Sequence, residues 1–233
     1  MTTETNVIQF PELPQSHPGT SHEYAYRRLR HALMIGAIAP GISITIQELA
    51  RELDISATPV REALRQLASE NALETLKNRR IQVPEMTPAR LQELISLRCT
   101  LEVYAIRRAL PYINMVLIDT VEAIDSEIND AIEANDRISL VMLNQRFHST
   151  IYRANPEQVV MPMIESLWLQ LGPFMGVAAS HQKILQVDDH HGRLIEALRV
   201  GDDNLVVSAL EDDIRDAIEP LIESGFENLR MEA

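Results

Sequence analysis

Two imidazoles, a carboxamide and a carboxylate fall at spacings that could bring them together. Asn144 and His148 are four residues apart, so on a helix they share one face. His191 precedes Gly201 by ten residues, and Asp213 follows Asp202 by eleven. If Gly201-Asp202 turns a helical hairpin, a rise of ~1.5 Å per residue sets His191 and Asp213 at similar heights on antiparallel helices. Helical bundles build metal sites from side chains that converge in this way. The same residues also admit a structural reading. A histidine beside Phe147 can be a hydrogen-bonded core residue, and His190-His191 can be a polar helix start. Asp213 sits in the acidic run Glu211-Asp212-Asp213, a pattern common on solvated faces.

Arg98 is the next residue with chemistry to explain. Leu91, Leu94, Ile95, Leu101 and Ala105 mark the apolar face of its helix, and Arg98 falls among them. A charge in that position needs a partner. Glu102, one turn on, could pair with it. Alternatively, the guanidinium could meet a carboxylate ligand through a two-pronged contact.

A different chemistry lies nearer the N-terminus. Ser56, Thr58 and Arg61 cluster at the start of an expected helix. Hydroxyls and unpaired N–H groups there can bind phosphate, and Arg61 can make paired hydrogen bonds to guanine. The basic turn Lys77-Asn78-Arg79-Arg80 could reach the backbone or minor groove of a duplex. An ordinary charged turn on a small helical packing unit is the alternative.

The elements that position these residues are legible from period and punctuation. Residues 1–20 are rich in Thr, Ser and Pro without periodicity and read as a tail. A first helix is expected over 23–35, stopped by Gly36 and Pro40-Gly41. Thr45 with Glu48 three residues on is a capping box opening a second. A third is expected to start at Thr58-Pro59, with Thr58 as cap and Pro59 first in the helix. Residues 72–76 and 81–83 read as two short strands. From Thr87 the pattern is helical: 88–110, 115–134, 137–154, 159–171, 184–200 and 203–223, punctuated by Pro111, Asn135-Asp136, Asn155-Pro156, Gly172-Pro173 and Gly201. The fold class is therefore mainly α: a winged helix-turn-helix over 21–85 and an all-α helical bundle over 86–233.

The formal charge of the 233-residue chain is −13, which would argue against nucleic acid. Its distribution weakens that objection. Residues 21–85 hold nine Lys/Arg against eight acids, whereas 86–233 hold twelve against twenty-four. Such asymmetry is what a nucleic-acid module attached to an acidic domain would show. Cys99 is the single cysteine, so neither an internal disulfide nor a multi-thiolate metal site is possible. No run of ~18 apolar residues suggests a spanning helix, and no Lys or Arg precedes Arg27, so a cytoplasmic protein without membrane attachment is expected.

Three motifs carry a resemblance. Residues 24–83 resemble the DNA-binding domain of the GntR family through Gly36-Ala37-Ile38-Ala39-Pro40-Gly41, Glu48-Leu49-Ala50 and Thr58-Pro59-Val60-Arg61-Glu62-Ala63-Leu64. Four positions depart from the family pattern. Ala57 stands where an Arg is usual, Asp54 and Asn71 stand where glycines are usual, and Arg80 replaces a Gly at the wing tip. Residues 88–226 resemble the helical effector domain of the FadR-like branch, the FCD type, through Leu97-Arg98-Cys99-Thr100-Leu101-Glu102, Asn144-Gln145-Arg146-Phe147-His148 and His191-Gly192-Arg193-Leu194-Ile195-Glu196-Ala197-Leu198.

The resemblance implies that Asn144, His148, His191 and Asp213 occupy metal-binding positions, with Asp213 where a third His is usual. Two nitrogens and two oxygens suit Zn²⁺, Ni²⁺ or Mn²⁺. It implies that Arg98 faces an effector cavity. It further implies a homodimeric transcriptional repressor that binds double-stranded operator DNA and is released by a small organic acid. A metal-dependent hydrolytic enzyme on the helical domain is the alternative, but it gives no reason for the motif at 58–64.

Overall fold

The computed structural model describes residues 19–76, 80–179 and 189–217. Helix α1 (Ser21–Met34) opens on a capping box between Thr20 and Glu23 and buries Ala25, Leu29, Ala32 and Leu33. Strand β1 (Ser43–Ile44) precedes α2 (Ile46–Glu52), whose cap is the Thr45–Glu48 box expected from sequence. Helix α3 (Ala57–Ser69) buries Val60, Ala63, Leu64 and Leu67 against α1 and α2. It begins earlier than expected: Ser56, not Thr58, is the N-cap, and Pro59 is the third helical residue. First-turn N–H groups have no intrahelical acceptor, so proline is tolerated throughout that turn and does not mark its first residue.

Strands β2 (Glu74–Thr75) and β3 (Ile81–Gln82) form the wing. β1 pairs antiparallel with β3 on the other side, giving the order β1-β3-β2. Two residues are too few to show alternation, so β1 had no sequence signal. Asp54 and Asn71 have φ of 52° and 58°, which is why Asp and Asn can stand at turn positions that favour glycine.

The remaining helices are α4 (Pro88–Ala109), α5 (Met115–Glu133), α6 (Arg137–Tyr152), α7 (Met161–Ala178), α8 (His190–Val200) and α9 (Asp203–Asp216). α5 packs on α6 and α8 on α9 as antiparallel hairpins, while α4 contacts α6, α7 and α9. Gly201, at φ 74°, makes the left-handed turn between α8 and α9. The expected start of α8 at 184 and the end of α9 at 223 lie outside the described residues. Helix α7 overturns one expectation: Gly172-Pro173 does not end it, and the helix runs on to Ala178. An interior proline costs about 3 kcal/mol. Here burial of Leu167, Trp168, Leu169, Leu171, Phe174 and Val177 along one helix outweighs it.

α7 is also the seam between the two halves. Gly172 and Gly176 let it approach the end of α1; a Cβ on Gly176 would stand 2.7 Å from the Gly36 carbonyl oxygen. Arg30 of α1 bonds Glu165 of α7 at 3.1 Å. From α6, the Gln145 amide donates to the Met34 carbonyl at 2.7 Å.

Candidate functional site

The amphipathic logic of α3 leaves one face to solvent. Ser56, Thr58 and Arg61 are all exposed on it, opposite the buried Val60 and Leu64. Arg65, one turn beyond Arg61, is exposed as well. Lys77 and Arg79 lie outside the described residues. Arg80 is half-buried, its Nε donating to Ser43 Oγ at 2.8 Å and its Nη2 to the Ser43 carbonyl. It therefore ties the wing to β1.

In the helical half, α5, α6, α8 and α9 bring the polar residues together. His148 Nε2 lies 3.1 Å from Asp213 Oδ2, and His191 Nε2 lies 3.6 Å from Asp213 Oδ1. Asn144 Nδ2 is 3.3 Å from His191 Nε2. One donor atom from each of His148, His191 and Asp213 lies within 4.8 Å of the others. Two ligands at 2.0–2.1 Å from a tetrahedral zinc are roughly 3.3 Å apart, so the spacing needs little adjustment to hold an ion.

Each imidazole is turned by its other nitrogen. His191 Nδ1 is 2.9 Å from Asp125 Oδ1 on α5, and His148 Nδ1 is 3.4 Å from the Tyr152 hydroxyl. With Nδ1–H given to Asp125, His191 keeps its lone pair on Nε2, facing Asp213. His148 Nε2 is fully buried and has no hydrogen-bond partner of good geometry, although Asp213 is close. A buried lone-pair nitrogen aimed at a carboxylate fits a cation between them. Phe147 stacks on His191, ring centroids 4.0 Å apart, and fixes its plane.

Electrostatics follow from this packing. Burial opposes ionisation of Asp213, but His148, His191 and Arg98 outweigh it and hold the pKa down at about 2. Burial likewise opposes the charged form of His191, yet the hydrogen bond to Asp125 and the charge of Asp213 raise its pKa.

Of the two partners weighed for Arg98 from sequence, Glu102 is the one it meets. Its Nε donates to Glu102 Oε1 at 2.7 Å, and it also lines the cavity beside Asp213. Glu102 is completely buried. It accepts from the Tyr152 hydroxyl at 2.8 Å and from Trp168 Nε1 at 3.0 Å as well. Burial disfavours its charge, but the Arg98 guanidinium beside it brings the net shift below the ordinary carboxylate range.

These groups form one end of a cavity of about 460 Å³. Arg98, Asn144, His191 and Asp213 all face it; His148 stands behind Asp213. Sequence reasoning missed Asp125 and Tyr152, and it placed Trp168 in the core or the cavity wall without its bond to Glu102. A signal existed for Asp125, an acid set beside the core positions Val121, Ile124 and Ile128 of one helix. Tyr152 carries no sequence signal of its own.

Residues 22–83 match the family described as "Bacterial regulatory proteins, gntR family", and residues 93–216 match the FCD domain. The chain belongs to the GntR family, in the branch that carries an FCD domain. It is 30% identical over 177 residues to the HTH-type transcriptional regulator McbR of Escherichia coli, covering 75% of this chain and 80% of that protein. It is 26% identical to the gluconate operon transcriptional repressor of Bacillus subtilis, covering 94% of this chain and 93% of that one. The solved structure of Escherichia coli McbR/YncC superposes with a TM-score of 0.80 at 26% identity, over 89% of this chain and all of that one. A putative GntR regulator from Rhodococcus, at 19% identity and TM-score 0.71 over 87% and 97% of the two chains, shares the fold. These relatives support a DNA-binding transcriptional regulator over the hydrolytic alternative. Among the described residues, no helix is long and apolar enough to cross a membrane.

Proposed function

We propose that this regulator is a cytoplasmic, homodimeric repressor that a small organic acid releases from double-stranded operator DNA. Residues 21–85 are the DNA-binding domain and 86–233 the effector and dimerisation domain. Ser56, Thr58 and Arg61 meet the major groove, with Lys77, Arg79 and Arg80 in the wing. His148, His191 and Asp213, joined by the Asn144 amide oxygen after a turn of that amide, hold Zn²⁺, Ni²⁺ or Mn²⁺. The metal supplies a Lewis-acidic anchor for a carboxylate oxygen. Arg98 supplies the second contact, its orientation fixed by Glu102.

The observation that carries this reading is the shared wall of cavity and DNA-binding unit. Trp168, Leu171 and Met175 of α7 line the cavity, while Gly172 and Gly176 of the same helix abut α1. Gln145, beside Asn144, lines the cavity and holds Met34. A ligand that shifts α6 or α7 thus bears on α1, provided it binds the two placements unequally. The test is a mobility-shift titration of operator DNA with metal-loaded protein and candidate acids. Release by an acid in wild type, but not in Arg98→Ala with its metal content intact, is the expected result. Release of Arg98→Ala at wild-type acid concentration would overturn the role of Arg98.

A further inference from the structure

The two ends of the cavity differ in kind. The polar end is built from Arg98, Asn144, His191 and Asp213. Along α5 the wall runs from Asp125 through Ile128 to Ile132, and along α6 it runs from Asn144 back to Val141 and Leu140. Along α7 it runs from Trp168 through Leu171 to Met175 and Ala178. Seven residues of helix at 1.5 Å each make Ile132 and Met175 lie roughly 10 Å beyond Asp125 and Trp168. Among the described residues, the wall that α5, α6 and α7 build beyond the polar end is therefore mainly apolar. Of the polar residues elsewhere on the wall, Gln145 donates its amide N–H to Met34, and Asn129 and Asp189 are exposed. His190 Nδ1 meets Arg193 Nη2, while its buried Nε2 lies 3.2 Å from Asp216 Oδ2 without a hydrogen bond of good geometry.

Charge restricts the occupant further. Arg98 and Glu102 cancel one another, and Asp125 and Asp213 would cancel a divalent ion. The metal-loaded polar end is thus close to neutral and accommodates one added carboxylate at the guanidinium and the ion. A second negative charge meets no Lys or Arg other than Arg98 among the described residues of the wall. Hydroxyl groups laid against Ile128, Ile132, Leu140, Leu171 and Met175 would face side chains that offer no hydrogen bonds, and burying them there is unfavourable.

We infer that the effector is a monocarboxylic acid with an apolar body, rather than a sugar acid, a dicarboxylate or a phosphate ester. This rests on the reading of the polar end as the acid site. The volume, about 460 Å³, is in the range that encloses a small molecule.

The experiment is calorimetric titration of full-length, Zn²⁺-loaded protein with butyrate, hexanoate, octanoate, octanedioate, gluconate and octanamide. Affinity should rise about fourfold per methylene from butyrate to octanoate, the factor that corresponds to burying a CH₂. Octanedioate and gluconate should bind at least ~10-fold more weakly than octanoate, because each carries an unpaired polar group against the mainly apolar wall. Leu140→Ser should flatten the chain-length series while leaving zinc content unchanged. Gluconate or octanedioate binding as tightly as octanoate, or a flat series in wild type, would overturn the inference and leave the acid site standing. Octanamide binding as tightly as octanoate would overturn the acid site itself, and with it the class proposed. Binding of none of the six would overturn both.

Discussion

Replacing Glu102 by Ala should destabilise the protein more than replacing Arg98 by Ala, although the two form one ion pair. Glu102 accepts from three donors: the Arg98 guanidinium, the Tyr152 hydroxyl and Trp168 Nε1. Its removal leaves Arg98, only 6% exposed, without its counter-charge. Breaking a buried pair in this way costs about 3–5 kcal/mol. Two orphaned neutral donors would add about 1–3 kcal/mol each. Part of that is recovered, since Tyr152 already lies 3.4 Å from His148 Nδ1 and Arg98 can draw water from the cavity. The net expectation is about 4 kcal/mol, or roughly 8–16 °C in Tm for a chain of this size. Arg98→Ala leaves Glu102 with two donors and should cost about 2–3 kcal/mol. The double variant should cost less than the sum, because no unpaired charge remains. Urea unfolding with chelator present removes any contribution from metal binding. The sign with pH is fixed by the depressed Glu102 pKa. Its contribution is complete near neutrality and is lost only as acid titrates it, below the ordinary value of about 4.3. A Glu102→Ala loss under about 1 kcal/mol, or one no larger than that of Arg98→Ala, would refute this account.

Other expectations are more direct. His148→Ala should remove the bound metal, whereas Asp213→Ala should be milder because water can replace one oxygen ligand; elemental analysis of each purified variant distinguishes them. Asp125→Asn should weaken metal affinity about 10–100-fold by loosening His191, measured by competition with a chromophoric chelator. Equal affinity in wild type and variant would remove Asp125 from the site. Arg61→Ala should weaken specific operator binding by ~1–3 kcal/mol and relax preference at one position per half-site. Unchanged affinity in a mobility shift would misplace α3. Residues 86–233 expressed alone should sediment as a dimer, since a winged helix of this size has little surface to spare for both a core and a partner.

What the sequence made legible was whatever depended on spacing within one element. Capping at Thr45–Glu48, the buried stripe of α3 and the turn at Gly201 are local, and their residues are chosen by local physics. The metal candidates were legible for a related reason. Asn144 and His148 share a helix, and His191 and Asp213 share a hairpin, so two short-range constraints were enough to propose one cluster. α7 shows where this fails. Gly172-Pro173 is a terminator by local rules, and only the packing of its long apolar face shows why the helix continues. The groups that hold the imidazoles are equally beyond local reading. Asp125 is 66 residues from His191, and Trp168 is 66 from Glu102. No period links such residues; they meet because helices distant in sequence are laid side by side.

Gln145 carries that point to function. By sequence it is one polar residue in a helical motif, next to Asn144. In three dimensions it is the only residue among those described that both lines the cavity and donates a hydrogen bond to the backbone of α1. Its neighbour on the helix faces the imidazole of His191. Consecutive helical positions point about 100° apart, so a rotation of α6 that improves the contact of Asn144 with an ion must swing Gln145 relative to Met34. The close approach of Gly36 to Gly176 leaves no slack to absorb such a swing at the same seam. Glycine at 172 and 176 therefore does more than permit contact. At these two positions the backbones of α7 and of the end of α1 meet without a side chain between them, so under the proposed function a displacement of α7 would reach α1 there without rotamer adjustment. A larger residue at either position would push the two halves apart, and under the proposed function an acid in the cavity would then no longer release the operator.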